Sequence, residues 1–91
     1  MLTAHNLFVD EFGVLYVFGA SGHAGASLFN GGALMFDVNT DPWNPAYLGR
    51  FDSYYLHDGY VRNNILYGAS VYNGFLSIID VNLKSNPVVV G

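Results

Sequence analysis

The sequence predicts an all-β protein made of two four-stranded antiparallel propeller blades, which close into a β-propeller by oligomerisation or as a fragment of a longer propeller. Two observations carry this prediction. A short apolar run ending in Asp, a turn closed by Asn-Pro and a second apolar run ending in Gly occur twice, at 33–49 and at 76–91, and a repeated unit of this length is typical of repeat architectures. Apolar residues make up 52% of the chain and charged residues only 11%, which is little charge for a small domain with a proportionally large surface.

The first blade, residues 1–52, is predicted to contain four strands and one long loop. After a lead-in at 1–4, apolar, aromatic and β-branched runs favour strands at 5–10, 14–18, 33–38 and 46–51. Glu11-Phe12-Gly13 supplies a tight turn with a glycine for positive φ. The loop at 19–32 is rich in Gly, Ala and Ser. We find no capped 3.6-residue periodicity that would indicate a helix.

The second blade, residues 53–91, is predicted to repeat this series. Its strands are expected at 54–62, 64–70, 75–81 and 87–90, with hairpin turns at Asn63-Asn64 and Asn73-Gly74. The two units can be aligned along their length. The expected correspondences are His5 with His57, Tyr16 with Tyr67, Ser21 with Ser70, Asn30-Gly31 with Asn73-Gly74, Asp37 with Asp80 and Pro45 with Pro87.

A propeller blade packs both of its faces on neighbouring blades, which explains the shortage of charge. Two blades cannot close a ring, because propellers typically have four to eight of them. We therefore expect the chain to associate with itself head to tail in a closed cyclic assembly. Three copies, giving six blades, are the first choice and four copies the second. The alternative fold is a lone two-sheet sandwich.

Several motifs resemble a known family. Leu76-Ser77-Ile78-Ile79-Asp80, followed by Lys84-Ser85-Asn86-Pro87, resembles the LVIVD repeat with its Asp-x-x-x-Lys-x-Asn-Pro turn. The segments 5–11 and 55–58 resemble the two signatures of the choice-of-anchor B group of LVIVD proteins. The resemblance implies a β-propeller, secreted or attached to the surface of bacteria, and implies no defined activity. Full members of the group are several times longer and carry a secretion signal and a C-terminal anchor.

Composition argues against several classes of function. Only Arg50, Arg62 and Lys84 are basic, so the chain lacks the basic footprint that nucleic-acid binding requires. The absence of cysteine excludes disulfides, thiolate metal sites and cysteine nucleophiles. No apolar run is long enough to span a bilayer, and no segment has the pattern of a signal peptide.

Residues at the ends of the first strands are the main candidates for a ligand site. His5-Asn6 and His57-Asp58 open the first strand of each unit, which in a propeller is innermost, so they are expected at a mouth of the central channel, with Arg62 toward the opposite end. Imidazole and carboxylate groups also suit a divalent metal held by His5, His57 and Asp58. The alternative is structural: each His bonds a buried group such as Ser21 or Ser70.

Two further sets of residues are predicted to act in turns and on a rim. Asp37 and Asp80 precede equivalent turns, where a carboxylate can accept backbone N–H groups. The segment 37–41 begins like a calcium loop, but Pro42 stands at its Gly position and excludes an EF-hand. His23, in the long loop, and Tyr72, in the equivalent loop, are expected to line a binding surface on one rim.

The leading hypothesis is a non-enzymatic module that binds a small molecule or a protein, with no cofactor. The competing hypothesis is a metal-dependent or acid–base enzyme that uses His5, His57 and Asp58 at the channel mouth. A third interpretation is a fragment without a function of its own.

Overall fold

The computed structural model describes residues 2–3, 6–19, 21–22, 31–70 and 74–91. Within these ranges the chain forms strands and turns and no helix. The strands are β1 (Leu2–Thr3), β2 (Asn6–Val9), β3 (Val14–Phe18), β4 (Ser21–Gly22), β5 (Ala33–Asp37), β6 (Ala46–Phe51), β7 (Asp58–Arg62), β8 (Ile65–Ser70), β9 (Phe75–Asp80) and β10 (Val88–Val89). No helix among these residues is long and apolar enough to cross a membrane.

Eight of these strands form two four-stranded antiparallel sheets, and each sheet follows chain order. Sheet 1 has the order β2-β3-β5-β6, and sheet 2 has the order β7-β8-β9-β10. This confirms the prediction of an all-β chain with two such sheets. Asn63 and Asn64 turn the chain between β7 and β8 with φ of 52° and 61°, the left-handed values that a tight hairpin turn demands.

Two local predictions were wrong. Strands β1 and β4, which pair antiparallel, fall in segments predicted to be a lead-in and a loop. The strand predicted at 54–62 begins only at Asp58. The preceding residues cross between the sheets instead: the phenol of Tyr54 bonds the hydroxyl of Ser77, and the N–H of Leu56 donates to the carbonyl of Gly31 at 2.9 Å.

The two sheets repeat each other position by position. Tyr16 pairs with Phe8 on one side and Met35 on the other, and Tyr67 pairs with Tyr60 and Ile78. The other equivalent pairs follow the same register: Leu7–Val17 and Gly59–Gly68, Val9–Leu15 and Val61–Leu66, Val14–Asp37 and Ile65–Asp80, Phe18–Ala33 and Ala69–Leu76. Tyr16 therefore matches Tyr67, and Asp37 matches Asp80.

The register also corrects one predicted correspondence. Ser70 pairs with Phe75 at the end of β8, and the N–H of Gly19 donates to the carbonyl of Gly32 at 3.2 Å at the equivalent end of β3. Gly19, and not Ser21, therefore takes the place of Ser70. The predicted match missed this because Ser21 belongs to the β1–β4 pair.

Even the irregularity in the outermost strand is repeated. In sheet 1 the register between β5 and β6 shifts between Met35 and Phe36. In sheet 2 the N–H groups of Val90 and Gly91 both donate to the carbonyl of Ile78, at 2.8 and 3.2 Å. Two residues thus face one, which is the arrangement of a β-bulge, and Ile78 occupies the place of Met35.

One face of sheet 1 packs on one face of sheet 2 and forms the core. Buried apolar side chains of both sheets and of the adjoining segments form a single cluster, which contains Val14, Tyr16, Phe18, Ala33, Met35, Phe51, Leu56, Val61, Leu66, Ile79 and Val81. One close contact is that of the Phe18 ring with Gly59: a Cβ on Gly59 would be 2.5 Å from the Cζ of Phe18. A large side chain thus fills the space that a glycine leaves.

The opposite face of each sheet also carries apolar side chains, several of them exposed. In sheet 2, Tyr60 is 49% exposed and Leu76 62%. In sheet 1, Leu7 is 58% exposed and Val9 53%. An antiparallel sheet with one solvated face usually places polar side chains there, so these two outer faces have the composition of surfaces that pack against something.

Candidate functional site

The strand starts that the sequence singled out have matching local structure. The Oδ1 of Asn6 accepts the N–H of Leu7 at 2.8 Å, and the Oδ1 of Asp58 accepts the N–H of Gly59 at 2.7 Å. The backbone N–H of His57 donates to the carbonyl of Ala69 at 2.8 Å, which fixes the chain just before β7. Asn6 and Asp58 are therefore equivalent groups at the same end of their sheets.

Three of the predicted site residues, His5, His23 and Tyr72, lie outside the described residues. The metal site predicted from His5, His57 and Asp58 therefore stays a prediction. In the part of the chain that the structure describes, no three His, Asp or Glu side chains gather in a way that could hold a metal ion.

A shallow hollow of about 280 Å³ lies on the outer face of sheet 2. Its lining consists of Asp58, Gly59, Tyr60, Tyr67, Ala69 and Leu76. We call it the Ala69 hollow. It exists because Ala69 presents almost no side chain between the larger Tyr67 and Leu76, and Gly59 borders it with backbone atoms alone. Its floor is therefore apolar, and the Asp58 carboxylate stands at its rim.

Aromatic rings run along one side of this hollow. The ring centroids of Tyr60 and Tyr67 are 6.4 Å apart, and Phe8 of sheet 1 lies 5.3 Å from Tyr60. Aromatic pairs at this separation add to the stability that burial provides. Among the predicted site residues that the structure describes, Asp58 alone lines the hollow, and the aromatic residues around it were not predicted. An alignment of the two units could have indicated the hollow, because it places the small Ala69 where the first unit has the large Phe18.

The opposite end of the sheets carries most of the charged groups. The carboxylate of Asp10 is buried and accepts the N–H groups of Phe12 and Val14 at 2.9 and 3.0 Å. The hydroxyl of Tyr16 donates to it at 3.4 Å. Burial, followed by the nearby Asp10 charge, raises the pKa of the Tyr16 phenol well above its ordinary value, so this phenol stays protonated and continues to donate.

At this end Glu11 joins the two sheets, and Lys84 connects two turns of sheet 2. The Oε2 of Glu11 accepts the N–H of Asn63 at 2.9 Å; this bond is the main reason why the pKa of Glu11 lies below its usual value, and Arg62 lowers it further. Lys84 donates its ammonium to the carbonyl of Val81 at 2.6 Å and to the Oδ1 of Asn64 at 3.1 Å. Desolvation lowers the pKa of Lys84, and the Asp10 carboxylate opposes that shift.

Asp37 and Asp80 hold the turns that follow them. Asp37 accepts the N–H groups of Asn39 and Thr40 at 2.8 and 3.2 Å and the Thr40 hydroxyl at 2.7 Å. Asp80 accepts the N–H and the Nδ2 of Asn82, each at 2.9 Å. The bonds from Thr40 and Asn39 lower the pKa of Asp37, and those from Asn82 lower the pKa of Asp80.

These bonds predict an acid-sensitive turn at Asp37. Because folding lowers its pKa, this carboxylate stabilises the fold above the unfolded-state value of 3.8, and the contribution is lost as the pH falls through the folded-state pKa. Asp37→Asn should therefore be less stable than the unmodified chain at neutral pH, and the gap should close near pH 2. Thermal unfolding of both proteins across this range checks it; a gap that does not change with pH would contradict it.

Comparisons of the chain with protein-family models, with curated proteins and with solved structures found no match.

Proposed function

We propose that this chain is a non-enzymatic binding module: two β-propeller blades of the LVIVD type that associate with copies of the chain and present a channel mouth or rim to a ligand. The observation that carries the proposal is the register-matched repeat of two sheets whose outer faces are both apolar. A repeated sheet that needs cover on both faces is the unit from which propellers are built.

The open faces favour this arrangement over a lone sandwich. In a sandwich the outer face of each sheet meets water and is polar. Here Leu7 and Val9 on one outer face and Tyr60 and Leu76 on the other are each about half exposed or more. Contiguous apolar surface of this kind usually marks an interaction site. Copies of the chain would cover both faces at once.

The relation between the two sheets also suits neighbouring blades. Their first strands, β2 and β7, lie next to each other, and the Glu11–Asn63 bond and the Phe8–Tyr60 ring pair join them. In a propeller the first strand of each blade lies innermost, beside the first strand of the next. Asn6, His57 and Asp58 would then border one mouth of the channel. Three copies of the chain give six blades and four copies give eight, both within the usual range.

Mass in solution tests the proposal. Light scattering on the purified chain across a range of protein concentrations is expected to give three or four times the mass of one chain, 9.9 kDa. A closed ring should keep a single mass as the concentration rises, because head-to-tail association ends when the ring closes. A chain that remains a monomer at every concentration would overturn the proposal.

Metal analysis of the same sample separates the binding module from the enzyme alternative. The chain purified without chelator should contain no stoichiometric divalent ion, and His57→Ala should lower stability without removing a metal. A bound ion that is lost in His57→Ala at unchanged stability would favour the metal-dependent enzyme.

A further inference from the structure

In the contact between the two sheets inside the chain, a large side chain fits against a glycine. The ring of Phe18, fully buried on sheet 1, occupies the space over Gly59 of sheet 2, where a Cβ would come within 2.5 Å of the ring. Phe18 is thus the knob of this internal contact and Gly59 is its hole.

The equivalent positions on the two outer faces exchange these roles. The register places Ala69 in sheet 2 where sheet 1 has Phe18, and Leu7 in sheet 1 where sheet 2 has Gly59. Ala69 forms the floor of a hollow, and Leu7 projects from the outer face of sheet 1 with 58% of its surface exposed. The outer faces therefore carry a hole and a knob in reversed places.

Charged residues show the same reversal. Inside the chain, Asp10 at the end of β2 acts electrostatically on Lys84 in the turn after β9. The register continues past Val9 and Val61, so that Arg62 takes the place of Asp10. Lys84 is the fourth residue after Asp80, and the fourth residue after the equivalent Asp37 is Asp41. Asp41 therefore takes the place of Lys84 in the first unit. The internal pair is an acid in the first unit and a base in the second, and the equivalent pair is a base, Arg62, and an acid, Asp41. The charges change places but remain complementary.

A third feature is unchanged between the units. Gly49 lets the backbone of β6 approach the turn after β9 closely, since a Cβ there would be 2.0 Å from the carbonyl oxygen of Lys84. The equivalent residue in sheet 2, opposite Ile78, is Gly91, whose Cβ would meet nothing closer than the Ile78 side chain at 3.4 Å. The second unit thus keeps a glycine at a position where, among the described residues, no backbone approaches it closely.

We infer that the outer face of sheet 2 docks on the outer face of sheet 1 of a second copy, with Leu7 of one copy in the Ala69 hollow of the other and Arg62 facing Asp41. This interface reproduces the one between sheets 1 and 2, with the knob, the hole and the charges exchanged. It rests on the proposed self-association, and it fixes which faces meet and in which register. An unrelated partner would give no reason for both exchanges to compensate.

A size exchange tests the register. Ala69→Phe fills the hollow and should raise the dissociation constant between copies at least about tenfold, because a closely packed contact does not accept a ring in that place. Leu7→Gly removes the knob and should also weaken association. The double variant recreates the Phe18–Gly59 pair between copies, so its association should recover toward that of the unmodified chain. Light scattering at several concentrations measures all four proteins, and circular dichroism shows whether each is folded.

The controls separate this inference from the proposal on which it rests. Leu83→Phe enlarges an exposed turn residue and should leave association unchanged. If the unmodified chain is monomeric, the self-association itself fails. If it associates, and Ala69→Phe, Leu7→Gly and the double variant associate equally well, the docking register is wrong and self-association stands. A double variant weaker than either single variant also overturns the register.

A charge exchange covers the case in which Ala69→Phe does not fold. Arg62→Asp and Asp41→Lys should each weaken association, and their combination should restore it. Both side chains are exposed, but Arg62 lies near Glu11 and Asp41 accepts the N–H of Trp43 at 3.1 Å, so circular dichroism must show that each charge variant is folded. Equal association of the unmodified chain and all three charge variants at low salt would overturn the pairing.

Discussion

Replacing Phe18 by Ala should lower the free energy of unfolding by about 3–5 kcal/mol. The side chain of Phe18 is fully buried, its ring lies 6.4 Å from that of Tyr16, and it fills the space over Gly59. Since Gly59 has no side chain that could move into the vacated volume, the cavity should remain open and the loss should be near the upper part of this range. Denaturant unfolding at a fixed protein concentration measures it.

Two variants make this result specific. Phe12→Ala removes the same side chain from a turn where it is 54% exposed, so the expected loss is below about 1 kcal/mol. Gly59→Leu added to Phe18→Ala copies the Ala69–Leu7 pair into the interior and should recover part of the lost stability. Similar small losses for Phe18→Ala and Phe12→Ala would mean that the two sheets do not pack through Phe18.

The strand composition of the fold could be predicted from the sequence because its signals are local. The run 14–18 is apolar, aromatic or β-branched throughout, the run 75–79 is so except at Ser77, and Asn63-Asn64 supplies the left-handed backbone of a hairpin. The β1–β4 pair could not be predicted in this way. It joins two residues near the start of the chain to two residues in a glycine-rich stretch, and nothing in either segment specifies the other. The late start of β7 has a similar cause, because Tyr54 is held by Ser77 of a distant strand.

The candidate site was predictable only in part. Asp58 was singled out as a group at the start of a strand, and it does lie at the rim of the Ala69 hollow. The hollow itself depends on which side chains share a face, and that requires the pairing register of β7, β8 and β9. The same register is needed to recognise that Ala69 corresponds to Phe18 and that Leu7 corresponds to Gly59. The small residues Gly59 and Ala69 became informative only when the register showed that Gly59 faces Phe18 and that Ala69 lines the hollow.

Replacing Gly49 by Ala is the second change with a large expected effect. A Cβ on Gly49 would lie 2.0 Å from the carbonyl oxygen of Lys84 and 2.8 Å from the Cα of Ser85. These are backbone atoms, which cannot rotate aside as a side chain can, so either the turn after β9 or the contact between the sheets must shift. We expect a loss of about 1–3 kcal/mol in the free energy of unfolding or more, measured by denaturant unfolding.

Gly91→Ala is the matched control, because Gly91 occupies the equivalent place in sheet 2. Its Cβ would be 3.4 Å from the nearest atom, in the side chain of Ile78, so the stability of the single chain should change by less than about 0.5 kcal/mol. Under the proposed docking, however, Gly91 approaches the turn at 38–45 of the next copy, as Gly49 approaches the turn at Lys84. Gly49→Ala should therefore impair folding, and Gly91→Ala should impair association alone. Equal effects of the two variants on folding would contradict the close approach of β6 to sheet 2.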